Sequence, residues 1–185
     1  TPYALGQHIT FAKDEGPKLS DFSIKKLMKN NKKEFSQKLS PVYKAIEITR
    51  KKLEKDKSLI CFIGAPWTLL IYMLGLKKED NKLDLDKYNK YKKQVSQILN
   101  ELNDYLCVHI ENQINAGADV IQIFDSQGGT LSSYHYWNVS GKWIKKIIDS
   151  LGKRVPFIVF ARGVHHNWDE LTYTGANALS IDWNI

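Results

Sequence analysis

The stretch that decides the fold is residues 116–129, which run AGADVIQIFDSQGG. A short apolar segment, interrupted by one glutamine, ends at Asp125-Ser126, and two glycines follow. Such a near-continuous apolar run is typical of a strand that is buried on both faces of a parallel sheet. The charged, hydroxyl and glycine residues directly after it mark the end of the strand. We therefore predict a parallel strand over 119–124, with polar side chains at its carboxyl end.

Similar apolar runs recur along the chain and alternate with helical patterns. Further strands are predicted over 59–63, 156–160 and 178–182, and helices over 67–76, 86–116, 133–150 and 167–174. This alternation indicates an α/β fold with a parallel sheet and helices outside it. No glycine-rich dinucleotide fingerprint follows any of these strands, which favours a barrel over a doubly wound sheet.

The first third of the chain carries weaker signals. We predict irregular structure to about residue 39, with a turn at 15–17. Ser40-Pro41 combines a capping residue with a proline suited to the first helical position, which predicts a helix start there. An apolar stripe on a lysine-rich helix then continues to residue 53.

Composition bounds the function without deciding it. The chain has 185 residues, 43% of them hydrophobic, and a formal net charge of +7. The charge permits a polyanionic partner, either nucleic acid or a small molecule with many carboxylates, but lysines along helices usually form a solvated face. Two cysteines, Cys61 and Cys107, predict no disulfide framework and fit a reducing cytoplasm. No apolar stretch approaches the length of a membrane span, so no membrane partner is expected.

Neither end of the sequence has the polar, flexible composition of a domain boundary. The chain begins at Thr1-Pro2 and stops at Ile185, directly after a predicted strand. We therefore expect residues 1–185 to be the central part of a single domain that is incomplete at both ends.

The carboxyl ends of the predicted strands are the expected place for a site, because parallel strands end at one edge of the sheet. Four strand ends carry candidate side chains: Gly64-Ala65-Pro66-Trp67, Asp125-Ser126, Ala161-Arg162-Gly163 and Asp182-Trp183. Each also has a simpler interpretation, since Asp or Ser after a strand often caps the next helix. Together they favour a site at this edge.

Histidine and cysteine positions do not predict a metal centre, which needs a cluster of ligands. Cys107 and His109 are two residues apart on a predicted helix and so point in different directions. His109 lies on the apolar stripe and is expected to be a core or boundary residue. His165-His166 follow a strand and are expected at the surface, within reach of the strand ends.

At these strand ends the sequence resembles the uroporphyrinogen decarboxylase family. The matching motifs, in the family's order, are GAPWTL at 64–69 with Tyr72-Met73, AGAD at 116–119 leading into FDSQGG at 124–129, PFIVFARG at 156–163 and LSIDW at 179–183. The combination of the Pro-Trp-Thr-Leu and Phe-Asp-Ser motifs is highly specific. The resemblance covers essentially the whole chain and is least specific over residues 20–57.

The resemblance implies removal of CO2 from four acetate side chains of uroporphyrinogen III, which gives coproporphyrinogen III in haem and chlorophyll biosynthesis. It implies a partial TIM (β/α)8 barrel, a homodimer in the cytoplasm or a plastid, and no metal or organic cofactor. A pyrrole protonated at a ring carbon can serve as its own electron sink. The protein then supplies an acidic group near the pyrrole nitrogens and cationic groups for the carboxylates.

By position, Tyr72 and Ser126 match the substrate-binding residues of the family, and Arg162 matches a basic position to which we assign no role. Simpler alternatives are that Tyr72 packs against Trp67 and that Ser126 caps its loop. The resemblance places no catalytic residue within the chain. The family's arginine-rich motif and catalytic aspartate precede the matched region, and its substrate-binding histidine follows it. One departure is Gln127, where many relatives have Trp, which should alter the loop and not abolish the chemistry.

Two other functions remain open at this point. Corrinoid- or zinc-dependent methyltransferases share this barrel superfamily, but they would be expected to show a His-x-Cys pair at a strand end, which this sequence lacks. A non-enzymatic basic binding module, including one for nucleic acid, is supported by charge alone.

Overall fold

A computed structural model describes residues 1–12, 15–78 and 82–183. In this part of the chain a four-stranded parallel sheet lies in the order β3-β4-β5-β6, and β1 and β2 form a separate antiparallel hairpin. The strands are β1 (Ile9–Ala12), β2 (Glu15–Leu19), β3 (Ile60–Gly64), β4 (Val120–Asp125), β5 (Phe157–Ala161) and β6 (Ala178–Ser180).

Helices connect the parallel strands. They are α1 (Ile24–Met28), α2 (Lys32–Lys52), α3 (Pro66–Leu74), α4 (Leu85–Tyr91), α5 (Val95–Asn115), α6 (Ser133–Tyr136), α7 (Lys142–Leu151) and α8 (Trp168–Tyr173). A 3₁₀ turn at Gly128–Thr130 follows β4, and a π-helical turn at Trp137–Gly141 joins α6 to α7. The predicted α/β fold with a parallel sheet is confirmed.

The strand register aligns the carboxyl ends of the sheet. Gly64 pairs with Phe124, Phe124 with Phe160, and Phe160 with Ser180. All four predicted strands are found within two residues of their predicted bounds. Because the four strands are parallel, the loops that follow them leave the sheet at the same edge.

The core lies between the sheet and the helices on one of its faces. Alternate strand residues such as Ile121, Ile123 and Val159 are buried, and α5 packs against α2, α3 and α7. The central helix α5 contributes Leu102 and Leu106, neither of which is exposed. Full burial of one such side chain stabilises a fold by roughly 1.5–3 kcal/mol.

The opposite face of the sheet is open. Phe62, Phe124 and Phe160 form a row across it, with ring centroids 5.7 Å and 5.8 Å apart. Phe62 is 66% exposed, although β3 is otherwise buried at alternate positions. Edge strands β3 and β6 flank this face. Such a sheet is the arrangement expected of part of a barrel whose inner face is not closed.

The first third of the chain is more regular than predicted. Residues 15–17, predicted as a turn, belong to β2, and α1 lies in the stretch predicted to be irregular. The predicted helix start at Ser40-Pro41 is wrong, because α2 begins at Lys32 and Pro41 lies inside it.

The reason is tertiary burial. Phe35 and Leu39 are buried and extend the apolar stripe of α2 back beyond the proline. The Asn31 side chain caps the helix by accepting the Lys33 N–H at 2.8 Å.

The predicted helix over 86–116 is two helices. Residues 92–94 form a turn between α4 and α5, since α4 buries no residue and the continuous apolar stripe begins at Val95. The predicted end at Gly117 is confirmed, with a positive φ of 110° at that residue. No helix in the described ranges is long and apolar enough to cross a membrane.

Candidate active site

Helix α3 begins directly after β3, at the edge of the sheet where the parallel strands end. Pro66 occupies the first turn of α3, where a missing N–H removes no helical hydrogen bond. Trp67 is fully buried, and its Nε1 donates to the Gln127 carbonyl and to Thr130 Oγ1, each at 3.2 Å. The start of α3 is therefore hydrogen-bonded directly to the loop after β4.

Asp125 is a buried carboxylate at the end of β4, with no exposed surface. Its Oδ1 accepts a hydrogen bond from Thr68 Oγ1 at 2.9 Å, and its Oδ2 accepts one from Ser140 Oγ at 2.7 Å. Burial raises the pKa of Asp125, and these hydroxyl donors oppose that shift. Burial, followed by the nearby Asp125 charge, also raises the pKa of Tyr136. Asp125 is thus inside the protein, where it holds α3 and the π-helical turn to the strand.

Two glycines let the loop after β4 pass close to its neighbours. A Cβ on Gly129 would lie 2.9 Å from the Arg162 carbonyl oxygen, and one on Gly128 would lie 2.8 Å from Asp125 Oδ2. The Gly129 N–H donates to that same Arg162 carbonyl at 2.9 Å. The loops after β4 and β5 are therefore in backbone contact, which a side chain at Gly129 would disrupt.

Tyr72 projects from α3 with 45% of its surface exposed. Its hydroxyl accepts a hydrogen bond from Gln127 Nε2 at 3.1 Å. The ring that stacks edge-on with Trp67 is Tyr88, at a centroid distance of 6.1 Å. Tyr72 lines a cavity of about 510 Å³ together with Lys18, Lys87 and other residues.

Ser126 is half-buried and lines a second pocket of about 260 Å³. Lys77, Gln127 and Arg162 line the same pocket. The structure therefore brings Ser126 and Arg162 together and places Tyr72 at a different cavity. Gln127, which contacts Tyr72 and lines the pocket of Ser126, links the two.

The ends of β5 and β6 are tied together by Asp182, whose Oδ2 accepts the Gly163 N–H at 2.8 Å. His165 and His166 are exposed, with ring centroids 4.1 Å apart, and His165 lines a small pocket with Asp182. The predicted surface position of both histidines is confirmed.

His109 belongs to the core, as predicted, and is 7% exposed. Its Nδ1 lies 3.1 Å from the Tyr43 hydroxyl and its Nε2 lies 3.1 Å from Gln113 Nε2. Burial lowers its pKa from 6.5 to about 4. His109 is therefore a neutral residue of the helix interface between α2 and α5.

Candidate metal ligands do not cluster. Within residues 1–12, 15–78 and 82–183, no three His, Cys, Asp or Glu side chains lie close enough to share a metal ion. Burial is the largest cause that raises the pKa of Cys107, to about 11, which disfavours the thiolate needed for metal binding. Among the described residues, the strand-end pocket is lined by hydroxyl, amide and cationic side chains, and no ligand set for a metal is found.

Three residues of the candidate site were given no role from the sequence. Thr68 and Gln127 form its hydrogen bonds, and Lys77 lines the pocket of Ser126. Of the three, the sequence analysis discussed only Gln127, as a departure from the family pattern. One signal was available, because Thr68 and Tyr72 are four residues apart and share one face of a helix.

The fold and the strand-end site define an α/β protein of the TIM-barrel class. The family model described as uroporphyrinogen decarboxylase (URO-D) matches residues 1–185. A uroporphyrinogen decarboxylase from Orientia tsutsugamushi is 36% identical over 193 residues, covering 100% of this chain and 55% of the relative. One from Pseudomonas aeruginosa is 34% identical over 191 residues, covering 98% and 54%. The chain belongs to the uroporphyrinogen decarboxylase family.

A structural comparison agrees on the fold. A methyltransferase from Methanosarcina mazei superimposes with a TM-score of 0.71 at 17% sequence identity, over 96% of this chain and 53% of the methyltransferase. At this identity the likeness concerns the fold alone. The chain spans about half the length of the curated relatives it matches.

Proposed function

We propose that the protein containing this chain converts uroporphyrinogen III to coproporphyrinogen III, with loss of CO2 from four acetate side chains. The observation that carries the proposal is the match of the whole chain to decarboxylases of this name, with Tyr72, Gln127 and Ser126 joined at the strand ends. We propose further that residues 1–185 are the central part of one TIM-barrel domain. The open face and the edge strands β3 and β6 support this.

Substrate binding in this proposal falls to Tyr72 and Ser126. Ser126 lines the pocket at the strand ends, and Tyr72 lines the neighbouring cavity beside α3 and is linked to that pocket by Gln127. The pocket of Ser126 also has Lys77 and Arg162 on its lining, so that positive charge faces an incoming carboxylate. A substrate with eight carboxylates fits a surface of this charge.

The reaction itself needs only protons and a positioned substrate. Protonation of a pyrrole ring carbon creates an electron sink, the bond to the carboxyl group breaks with release of CO2, and the electron pair returns to the ring. A proton then adds to the exocyclic methylene carbon to form the methyl group, and the ring carbon loses the proton that it had taken up. We assign the acid that stabilises the pyrrole cation to sequence outside these residues, propose that no metal or organic cofactor takes part, and expect a cytoplasmic homodimer.

The test is steady-state kinetics of the full-length protein with uroporphyrinogen III under anaerobic conditions. We expect Tyr72→Phe and Ser126→Ala each to lower kcat/KM by about tenfold, the effect of removing one hydrogen bond to a charged group. Matched controls are Tyr173→Phe and Ser96→Ala, exposed residues outside the site, which should behave as wild type. Equal kinetics for site and control variants would remove Tyr72 and Ser126 from the proposal.

A further inference from the structure

Gln127 is held against α3 by three hydrogen bonds. Its backbone N–H donates to Thr68 Oγ1 at 3.1 Å, its carbonyl accepts Trp67 Nε1–H at 3.2 Å, and its side-chain Nε2 donates to the Tyr72 hydroxyl at 3.1 Å. Thr68 and Tyr72 are four residues apart and so lie on the same side of the helix. Gln127 is only 7% exposed, which leaves its side chain little freedom.

The direction of these hydrogen bonds is fixed by the Gln127 backbone N–H, which can only donate. The Thr68 oxygen accepts this N–H at 3.1 Å, and the Thr68 hydroxyl donates to Asp125 Oδ1 at 2.9 Å. The hydrogen bonds therefore run in one direction, from the Gln127 backbone N–H to Thr68 and from the Thr68 hydroxyl to Asp125. A change confined to the Gln127 side chain leaves this anchor in place.

The hydrogen bond from the Gln127 side chain determines whether the Tyr72 hydroxyl donates or accepts toward a ligand. A phenol has one hydrogen to donate and an oxygen that accepts. Since Gln127 Nε2 occupies an acceptor position of the Tyr72 oxygen, the hydroxyl hydrogen is free to point elsewhere. Tyr72 is 45% exposed and lines an open cavity, so this hydrogen can reach a ligand.

We propose that Gln127 is a positioning residue that holds the Tyr72 hydroxyl as a hydrogen-bond donor to a carboxylate of the substrate. The inference rests on the proposed function, because it assigns Tyr72 a ligand that accepts and does not donate. A carboxylate fits this requirement, since its ionised form offers only acceptor atoms. Gln127 itself acts through Tyr72 and needs no contact with the substrate.

Gln127→Glu tests the proposal, because glutamate has the same shape but can only accept. It would capture the Tyr72 hydrogen and reverse the hydrogen bond. In the full-length protein we expect KM for uroporphyrinogen III to rise about tenfold and kcat to stay within about twofold. Gln127→Met, which removes the contact but leaves the hydroxyl free to donate, should raise KM by only about threefold.

A double-mutant cycle with Tyr72→Phe separates this effect from the added negative charge. Without the hydroxyl, Gln127→Glu should change KM by less than about twofold. Gln97→Glu, an exposed position on α5, carries the same charge change and should leave KM unaltered. Near-ultraviolet circular dichroism checks that each variant is folded.

Three results would overturn the inference. These are an unchanged KM in Gln127→Glu, the same rise in KM when Tyr72 is already Phe, or Gln127→Met as impaired as Gln127→Glu. Wild-type turnover decides the proposed function separately. If the full-length wild-type protein releases no CO2 from uroporphyrinogen III, the proposed function fails and the inference fails with it.

Discussion

Thr68 serves two groups at once where β4 ends. Its hydroxyl donates to the Asp125 carboxylate at 2.9 Å and accepts the Gln127 N–H at 3.1 Å, and all three residues are buried. A buried polar group that loses its partner costs more than the hydrogen bond itself contributes. The Thr68 side chain therefore contributes both to the stability of the fold and to the position of Gln127 in the site.

Thr68→Val keeps the shape of this residue and removes the hydroxyl. We expect the free energy of unfolding of the full-length protein to fall by about 2 kcal/mol, because a buried acceptor and a buried donor both lose a partner. Urea titration measures this. Thr49→Val is the control, since the exposed Thr49 hydroxyl donates only to a carbonyl of its own helix, and it should change stability by less than about 0.5 kcal/mol. Similar losses in the two variants would contradict the account of Thr68.

His109 predicts a pH dependence of stability. Its pKa is lowered to about 4 in the folded protein, chiefly by burial, so between about 4 and 6.5 the unfolded chain takes up a proton that the folded one does not. The stability that His109 contributes is therefore complete above pH 6.5 and is lost as the pH falls toward 4. The maximum loss is roughly 3 kcal/mol.

The matched measurement compares the wild type with His109→Gln by urea unfolding at several pH values. The advantage of the wild type over the variant should shrink by up to roughly 3 kcal/mol between pH 7 and pH 4. An advantage that stays constant over this range would show that His109 is not held neutral by the fold.

At the scale of the elements, α2 contains an exposed proline in its interior. Pro41 cannot donate a hydrogen bond to the preceding turn, and its ring crowds that turn. Pro41→Ala should raise the free energy of unfolding by about 1–3 kcal/mol, since no buried contact is lost. Lys38→Ala, another exposed residue of α2, is the control and should have an effect below about 0.5 kcal/mol. Destabilisation by Pro41→Ala would mean that the proline shapes the helix in a way its neighbours need.

The elements also show which sequence signals decide structure. β4 and β5 were predictable because each is a short apolar run closed by polar and glycine residues, which has few alternatives in an α/β chain. Ser40-Pro41 misled because the local capping signal competes with burial of Phe35, and burial outweighs it. The break between α4 and α5 is marked only by the start of the apolar stripe at Val95. Residues 86–116 are rich in helix-forming residues throughout, so the composition alone does not show the break.

In the candidate site, too, some features were predictable from the sequence and others were not. Tyr72 and Ser126 were predicted as substrate-binding residues from motifs, because their positions in a family pattern are visible in the sequence. The hydrogen bond that links Tyr72 to Gln127 joins residues 55 apart, and no local pattern predicts such a contact. The location of Lys77 beside Ser126 likewise depends on how the loop after α3 folds back.

At the scale of the whole molecule, one face of the parallel sheet carries exposed apolar side chains among the described residues. Phe62 is 66% exposed and Trp183 is 88% exposed, and β3 and β6 are edge strands. Exposed apolar surface and open strand edges favour association. We propose that the isolated chain has no decarboxylase activity and folds poorly.

Light scattering and binding of a hydrophobic dye test this on the isolated 185-residue chain. It should self-associate and bind the dye several-fold more strongly than the full-length protein does. Phe62→Lys should reduce the association, because it places a charge on the open face. A monodisperse isolated chain with measurable turnover would contradict the proposal.

The most direct test of the central claim is the amount of CO2 that the purified full-length protein releases from each uroporphyrinogen III. The assay is run under anaerobic conditions with and without a metal chelator. The account predicts four CO2 per tetrapyrrole, coproporphyrinogen III as the product, and no effect of the chelator. No CO2 release, or activity that depends on a metal and transfers a methyl group, would contradict it.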